Sequence, residues 1–298
     1  MRQSVRAGRA PRAKAVSPRN RGYELLLLKY KLLFDYARDI ILFIDGDGRI
    51  LEANCAAVKA YGYSREELVS MRVFELRKFD SVDIVRSQMR QAENSSILFE
   101  TVHKARDGRA IPVEVSSTGV SFGGSRILMS IIRDISLKQR YLAEIHRLAY
   151  YDELTGLPNR KSFQDALRRA TDAPGGAFAL MLVDVDNFKR VNDALSHAVG
   201  DLYLIEMGSR LSRALANRGT LFRLGGDEFT VLAEGVASRE SATPLLEDLR
   251  AAGGGTFAVD GNPIASSVSI GVGFFPENGR DGSEVLKKAD LAMYRVKE

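Results

Sequence analysis

The chain has 298 residues, 45% hydrophobic and 27% charged, a length that suits about two domains, each able to bury a core. A single cysteine, Cys55, excludes an intramolecular disulfide and a CxxC metal pair, and fits a reducing compartment. No stretch approaches the roughly 18 apolar residues of a membrane-spanning helix, and the basic start lacks an apolar segment before a cleavage site, so a cytoplasmic protein without a signal peptide is expected.

The net charge of +5 is concentrated at the start. Residues 1–22 carry Arg2, Arg6, Arg9, Arg12, Lys14, Arg19 and Arg21 and no acid, and the remainder is slightly acidic. This reads as a solvated, disordered basic tail over 1–22, with weak contact to an anionic membrane surface as its sharper use and no specific nucleic-acid partner.

Residues 23–38 have helical spacing with apolar residues on more than one side. Asp39–Ile44, Asp45-Gly46-Asp47-Gly48 and Arg49–Ala53 then read as strand, turn and strand. A helix over 53–62 follows, and Ser64-Arg65-Glu66-Glu67 has the capping-box form that starts another. Two further hairpins turn at Asp107-Gly108 and Gly123-Gly124. One antiparallel sheet with short helices inserted after its second strand accounts for this half.

These residues resemble a PAS domain over about 28–137. The resemblance rests on Asn54 through Tyr61-Gly62-Tyr63-Ser64 to Leu68, on Lys104 to Gly108 with Ile111-Pro112-Val113, and on the exit Arg133-Asp134-Ile135-Ser136. It implies a five-stranded antiparallel sheet with flanking helices in a sensor domain over 23–137. Its ligand is unknown. Cys55 precedes the segment in which flavin-thiol photosensors carry their cysteine, and no histidine lies over 82–93 to ligate haem. His103 reads as an ordinary surface residue on a strand.

Residues 138–150 read as a linker helix. Ile135, Lys138, Leu142, Ile145 and Ala149 mark a seam of barely two heptads, open to a dimeric coiled coil or to one helix packed on its own domain.

Beyond it, Phe178–Val183 is a continuous apolar run, as in a buried strand. Helices to about Leu195 and over 200–214, strands at 221–224 and 229–232, a helix at 241–251, a strand at 266–275 and a last helix from Gly282 give an α+β layer fold over 151–298.

Two acidic clusters carry the chemistry. Asp184-Val185-Asp186 ends the buried strand, where carboxylates can hold a hard cation. Gly225-Gly226-Asp227-Glu228 puts positive-φ residues and bare backbone in a hairpin, with two acids just beyond. Each alone is also a plain turn.

Together with Asp152 to Arg160, Phe188-Lys189 through Asn192-Asp193, His197, Gly200-Asp201, Ser269 to Val272 and Ala289 to Lys297, these blocks resemble the GGDEF family over about 148–298. The resemblance implies a sheet similar to the palm-type, ferredoxin-like nucleotidyl cyclases. It implies condensation of two GTP into cyclic di-GMP and two pyrophosphates by a homodimer using Mg2+ or Mn2+. It places the metal on Asp184, Asp227 and the Val185 carbonyl, and catalysis on Asp227, which activates the ribose 3′-hydroxyl, and on Glu228. It places substrate contacts at Phe188, Lys189, Asn192, His197, Asp201, Gly225, Gly226 and Lys297, with Asn192 and Asp201 reading guanine. A silent GTP-binding module is the alternative, and the intact Asp184, Asp227 and Glu228 favour the enzyme. A mixed GMP–AMP product is disfavoured by Asp201.

The sequence departs from the family pattern in three places. An R-x-x-D product-inhibition site reads Ala216-Asn217-Arg218-Gly219, so feedback through it is not expected. Ser196-His197 replaces Gly-His. The family's further basic residue past Lys297 is not reached by Glu298, so that either the sequence is trimmed there or GTP binding is weaker.

Overall fold

The computed structural model describes residues 18–297, in two compact units divided between Tyr141 and Leu142. Most of the basic tail lies outside the described residues. The first helix starts within the stretch assigned to that tail: α1 spans Pro18–Asp35 rather than 23–38.

In the N-terminal unit, β1 (Ile40–Ile44) and β2 (Ile50–Ala53) form the first hairpin. The helices α2 (Cys55–Tyr61) and α3 (Arg65–Ser70), a 3-10 turn (Val73–Leu76) and α4 (Val82–Asn94) follow. β3 (Ile97–Lys104), β4 (Ala110–Phe122) and β5 (Ser125–Asp134) complete an antiparallel sheet of order β2-β1-β5-β4-β3. Each turn has the residue its backbone needs: Gly48, Gly108, Gly123 and Gly124 all have positive φ. Ser64 caps α3 through a reciprocal bond with Glu67, as the S-x-x-E spacing predicts.

Buried Asn54 ties the entry of this unit together. Its amide nitrogen donates to the carbonyls of Phe34 (3.1 Å) and Asp39 (2.9 Å). Its amide oxygen accepts from the backbone N–H groups of Ile41 (3.1 Å) and Ala57 (3.0 Å). One side chain thus joins the ends of α1, β1 and α2, and every polar atom it buries is paired. Cys55 is half-buried and accepts a 3.6 Å contact from Arg65.

His103 is not a surface residue: 1% of it is exposed. It lies on the core face of β3, the face shared with Ile97 and Phe99. Its Nδ1 is 2.7 Å from the Tyr61 hydroxyl.

α5 (Ser136–Tyr150) runs in sequence across the boundary of the two units. Ile135, the first residue of the predicted seam, precedes this helix and is buried, whereas Leu142 and Ile145 on the helix are exposed. The seam is therefore shorter than its spacing suggests.

The C-terminal unit continues with α6 (Arg160–Asp172), β6 (Phe178–Val185), α7 (Phe188–Ala194) and α8 (His197–Leu215). Then come β7 (Thr220–Gly225), β8 (Glu228–Glu234), α9 (Arg239–Gly253), β9 (Gly255–Val259), β10 (Asn262–Ser266), β11 (Val268–Phe275) and α10 (Gly282–Lys297). Its four-stranded sheet has order β11-β6-β8-β7 with antiparallel neighbours. That is fourth, first, third, second, the expected α+β arrangement. The stretch predicted as one strand over 266–275 starts inside a separate β9–β10 hairpin instead.

All of β6 is buried because helices cover both faces. Met181 and Val183 pack with Leu204, Met207 and Leu249 of α8 and α9. Leu180 packs with Phe163 and Val285, and Leu182 with Ala289 and Met293, of α6 and α10. The apolar run Phe178–Val183 follows from this two-sided burial, and the strand's far end, with its acids, is where polar groups return.

Candidate active site

Two carboxylates stand at the end of β6, Asp184 within the strand and Asp186 just past it. Asp184 pairs in register with Glu228 on β8 and Ser269 on β11, so the three side chains share the sheet face that α10 covers. Asp186, just past the strand, accepts from the hydroxyls of Ser267 (2.6 Å) and Ser269 (2.7 Å). Asp186 is therefore engaged as an anchor of β11, whereas Asp184 meets the Lys297 ammonium.

The adjoining bend is shaped by its glycines. Gly225 has φ 134° and Gly226 φ 57°, and nothing lies within 4 Å of a Cβ built on either, so backbone conformation and not crowding calls for glycine. The pairing of β7 and β8 shifts register between Arg223 and Gly225, which leaves Asp227 in the bend while Glu228 starts β8 opposite Asp184. The backbone then locks to β6: the Val185 N–H donates to the Asp227 carbonyl at 3.3 Å.

Burial, above all, pushes the Asp184 carboxyl above its ordinary range. The charges of Asp227 and Asp186 push the same way, and the Lys297 ammonium, 2.7 Å from Asp184 Oδ1, opposes them. Asp184 is 7% exposed. A half-dry cluster of acids that has drawn in a lysine is the setting for a divalent cation, with the ammonium as its stand-in. The donors suit magnesium: Asp184 and Asp227 carboxylates with the Val185 carbonyl, all hard oxygens. Among the described residues no group of three or more acidic, histidine or cysteine side chains is poised for a metal.

The remaining predicted residues fall on the turn and helices after β6. Asn187 takes a left-handed conformation (φ 58°) and starts α7 at Phe188-Lys189. Ser196 caps α8 by accepting from the Val199 N–H, which explains serine in place of glycine before His197. Asn192 and Gly200 are in close contact, for a Cβ on Gly200 would lie 1.8 Å from Asn192 Oδ1. That oxygen is buried and has no partner. Asp201, His197 and Lys189 are exposed.

Sequence reasoning gave no role to three residues that the fold brings to this region. Arg223 ion-pairs with Asp152 and braces the glycine bend. Arg160 and Lys287 line a pocket of about 250 Å3 beside Glu228, together with Leu182 and Asp290. Asp152 and Arg160 lie inside the quoted sequence blocks and Arg223 lies two residues before the glycine cluster, so the signal was present without its meaning.

A family model described as "Diguanylate cyclase, GGDEF domain" matches residues 149–298, and one described as "PAS fold" matches residues 28–135. The chain belongs to the GGDEF family. Its GGDEF domain is preceded by a PAS domain, as the two resemblances implied. An uncharacterized signaling protein of Caulobacter vibrioides is 34% identical over 86% of this chain and 32% of its own length. Diguanylate cyclase DgcM of Escherichia coli K12 is 28% identical over 84% of this chain and 61% of its own. The coiled coil and GGDEF domain of DgcB from Caulobacter crescentus, solved with c-di-GMP, matches at 30% identity with a TM-score of 0.50, covering 55% of this chain and 88% of that one. The chain spans about a third of the Caulobacter vibrioides relative, and the family also includes proteins named as phosphodiesterases, such as PdeR of Escherichia coli. Among the described residues no helix is long and apolar enough to cross a membrane.

Proposed function

We propose that this chain is an active diguanylate cyclase, making cyclic di-GMP and two pyrophosphates from two GTP under control of its PAS domain. The observation that carries the reading is the cation-seeking cluster at the end of β6: buried Asp184, within the field of Asp227 and bridged by a lysine. Asp184, Asp227 and Glu228 are all present, which supports catalysis over a silent GTP-binding module.

Asp184, Asp227 and the Val185 carbonyl would hold Mg2+ or Mn2+. The ion, when bound, neutralises triphosphate charge and stabilises attacking and leaving oxygens. Asp227 takes the proton from the ribose 3′-hydroxyl. The 3′-oxygen then forms a bond to the α-phosphorus of the second GTP as the bond to the β-phosphate bridging oxygen breaks, and pyrophosphate leaves with that electron pair. A second such transfer closes the ring. Glu228 lies opposite Asp184 at the mouth of the site. The backbone at Phe188 and Lys189, with the Lys189 and Lys297 ammonium groups, binds the phosphates. The bare backbone of Gly225 and Gly226 leaves room for the nucleotide to lie close. Asn192 and Asp201 read guanine, since a carboxylate accepts from both N1–H and N2–H, and His197 flanks that pocket.

One GGDEF domain holds one GTP, so catalysis requires a homodimer that brings two half-sites together. The test is incubation of the protein with Mg2+ and GTP and separation of the nucleotide products, with Asp227→Ala as control. Cyclic di-GMP from the parent protein and none from the variant is expected. No product, even after forced dimerisation, would show a silent module.

A further inference from the structure

Among the described residues β11 lies at the edge of its four-stranded sheet, bonded to β6 alone. Which of its backbone groups face outward follows from β6. The Val185 N–H turns to the Asp227 carbonyl on the β8 side, so Val268, directly opposite Val185, points its own N–H and C=O away from the sheet. Ser267, one residue earlier, faces the sheet and accepts from the Asp186 N–H at 3.0 Å. By alternation Ile270, Val272 and Phe274 face outward as well. Phe274 is closed off: its N–H donates to the Asn278 side chain at 2.8 Å and its C=O accepts from the Asn278 N–H at 2.7 Å. The outward N–H and C=O groups of Val268, Ile270 and Val272 have no partner among the described residues.

This edge lies in a groove of about 840 Å3. Gly271 and Gly273 let α10 rest directly on the strand, for a Cβ on either would meet α10 carbonyl oxygens at 2.1 Å and 2.6 Å. Ala292 and Val296 of α10 then form one lip of the groove, and Leu246 of α9 forms the other. Natural sheet edges are guarded by charges, proline or a bulge. The strand Val268–Phe275 has none of these: it holds apolar residues, glycine and one serine, and pairs with β6 in unbroken register. An unguarded edge set between two lips is suited to accepting another strand.

Charge narrows the choice of strand. Arg239, in the first turn of α9, and Arg250, in its last, both line the groove. Both are exposed, and neither meets a carboxylate among the described residues. Asp186 is the one acid on the wall, and its two oxygens accept from Ser267 and Ser269. The helix sets the two arginines about 16 Å apart, the rise of about five residues of extended chain. Gly253 packs on Val268, which puts the Arg250 end of α9 at the start of the free edge. Antiparallel pairing with a second copy would set both α9 helices, with all their arginines, on one face, and like charges oppose that. An acidic extended chain meets both the backbone and the arginines.

We propose that the β11 edge docks an extended, acidic segment of a partner protein, added as a strand beside Val268, Ile270 and Val272 with its carboxylates toward Arg239 and Arg250. Backbone bonds supply the affinity and the arginines the preference for acids. Asn278 ends the docked strand at Phe274. The proposal is independent of the reaction carried out by the GGDEF domain.

The probe is a fluorescein-labelled peptide, Thr-Glu-Thr-Val-Thr-Glu-Thr, whose glutamates share one face when extended. It is titrated into the full-length protein and read by fluorescence anisotropy, and saturable binding is expected. Two further peptides carry N-methyl groups on alternate amides, one in each phase. Only one edge of an added strand pairs, so one phase should abolish binding and the other should leave it intact. Arg239→Glu combined with Arg250→Glu, both on the surface, should weaken binding by at least about tenfold. Ile270→Pro removes an outward N–H without touching a bond to β6 and should weaken it by about tenfold. Should that variant not fold, the N-methylated peptides carry the same test. No saturable binding up to about 1 mM peptide, equal affinity for the two N-methylated peptides, or undiminished affinity in the arginine double variant overturns the proposal. So does self-association of the chain that the peptide competes away in sedimentation, which would give the edge to a second copy.

Discussion

Arg223 and Asp152 form an ion pair at 2.7 Å that joins the start of the GGDEF domain to its glycine bend. The Arg223 guanidinium also donates to the Gly226 carbonyl through Nη2 at 2.8 Å and Nε at 3.2 Å. Asp152 is in turn held by the Thr155 hydroxyl at 2.6 Å. Burial raises its carboxyl, but bonds from Thr155 and Arg223 prevail and keep it below the ordinary carboxylate range. The bend that carries Asp227 is thus fixed by an arginine bonded to Asp152 and to the Gly226 carbonyl.

Arg223→Met should act on both stability and rate. The Arg223 side chain is 8% exposed, so its loss leaves Asp152 and the Gly226 carbonyl short of partners, at about 3 kcal/mol. Placement of Asp227 should loosen too, lowering kcat roughly 10- to 100-fold with a smaller change in KM. Asp152→Asn keeps an acceptor for both donors and should lose less on each count. Chemical denaturation and steady-state kinetics of the pair check this, and equal effects would mean that the charge of Asp152 matters and not its position.

Lys297 is the counter-ion of Asp184 where no divalent ion is bound, and a phosphate partner in the proposed complex. These roles predict opposite effects of Lys297→Met. Removing the competing ammonium should tighten binding of Mn2+ to nucleotide-free protein, measured calorimetrically. Loss of the phosphate contact should raise KM for GTP by about tenfold. Asp184→Asn should abolish Mn2+ binding and lower kcat by at least about 100-fold. A lysine variant with unchanged affinity for both ligands would remove Lys297 from the site.

Gly200→Ala tests the guanine pocket through packing. The new methyl carbon would lie 1.8 Å from Asn192 Oδ1, the free end of a side chain, while the next atoms are at 3.0 and 3.3 Å. Asn192 can swing away, and alanine favours the helix by up to about 1 kcal/mol, so the melting temperature should change little. Displaced Asn192 can no longer read the base. KM for GTP should rise by about tenfold and discrimination against ATP should fall, in a kinetic comparison of the two nucleotides.

The acidic strand end and the glycine bend were legible because each states its backbone need locally: an apolar run that must be covered on both sides, and two glycines at positive φ. The hydroxyl bonds that hold Asp186 were not legible, since they come from Ser267 and Ser269, some eighty residues away. The β9–β10 hairpin carries an Asp260-Gly261 turn between alternating apolar residues, a signal of the same kind as those read correctly in the PAS half. His103 was misplaced because its polarity masked its parity: it alternates with Ile97 and Phe99 on the buried face. Ile135 was counted into a helical seam because spacing alone does not show that it is buried at the end of the sheet.

Buried His103 makes PAS stability pH-dependent. Burial, then the Arg77 charge, lowers its pKa from 6.5 to about 3. The groups facing it are Tyr61, also kept neutral by burial, and Arg77 with Asp80. Below pH 6.5 the unfolded chain binds a proton that the folded chain refuses. Stability is therefore full above 6.5 and is lost as pH falls toward 3, by about 2 kcal/mol at pH 5. Urea denaturation should show this slope between pH 6.5 and 5, and His103→Gln should flatten it.

Arg218 bears on feedback. The stretch Ala216-Asn217-Arg218-Gly219 lacks the arginine and aspartate of the family's product site, and its one arginine is committed elsewhere. Its guanidinium pairs with Asp248 at 2.6 Å and donates to the carbonyls of Ala214 (2.6 Å) and Leu215 (3.2 Å), closing the end of α8. An arginine spent on a helix terminus is not free to clamp a guanine or a phosphate. Micromolar cyclic di-GMP should therefore leave the initial rate unchanged. Arg218→Ala should cost about 1 kcal/mol of stability and leave sensitivity to product as it was. Initial rates in the presence of added product check both, and strong inhibition of the parent protein that disappears in Arg218→Ala would assign this stretch the regulatory role that the R-x-x-D pattern has in the family.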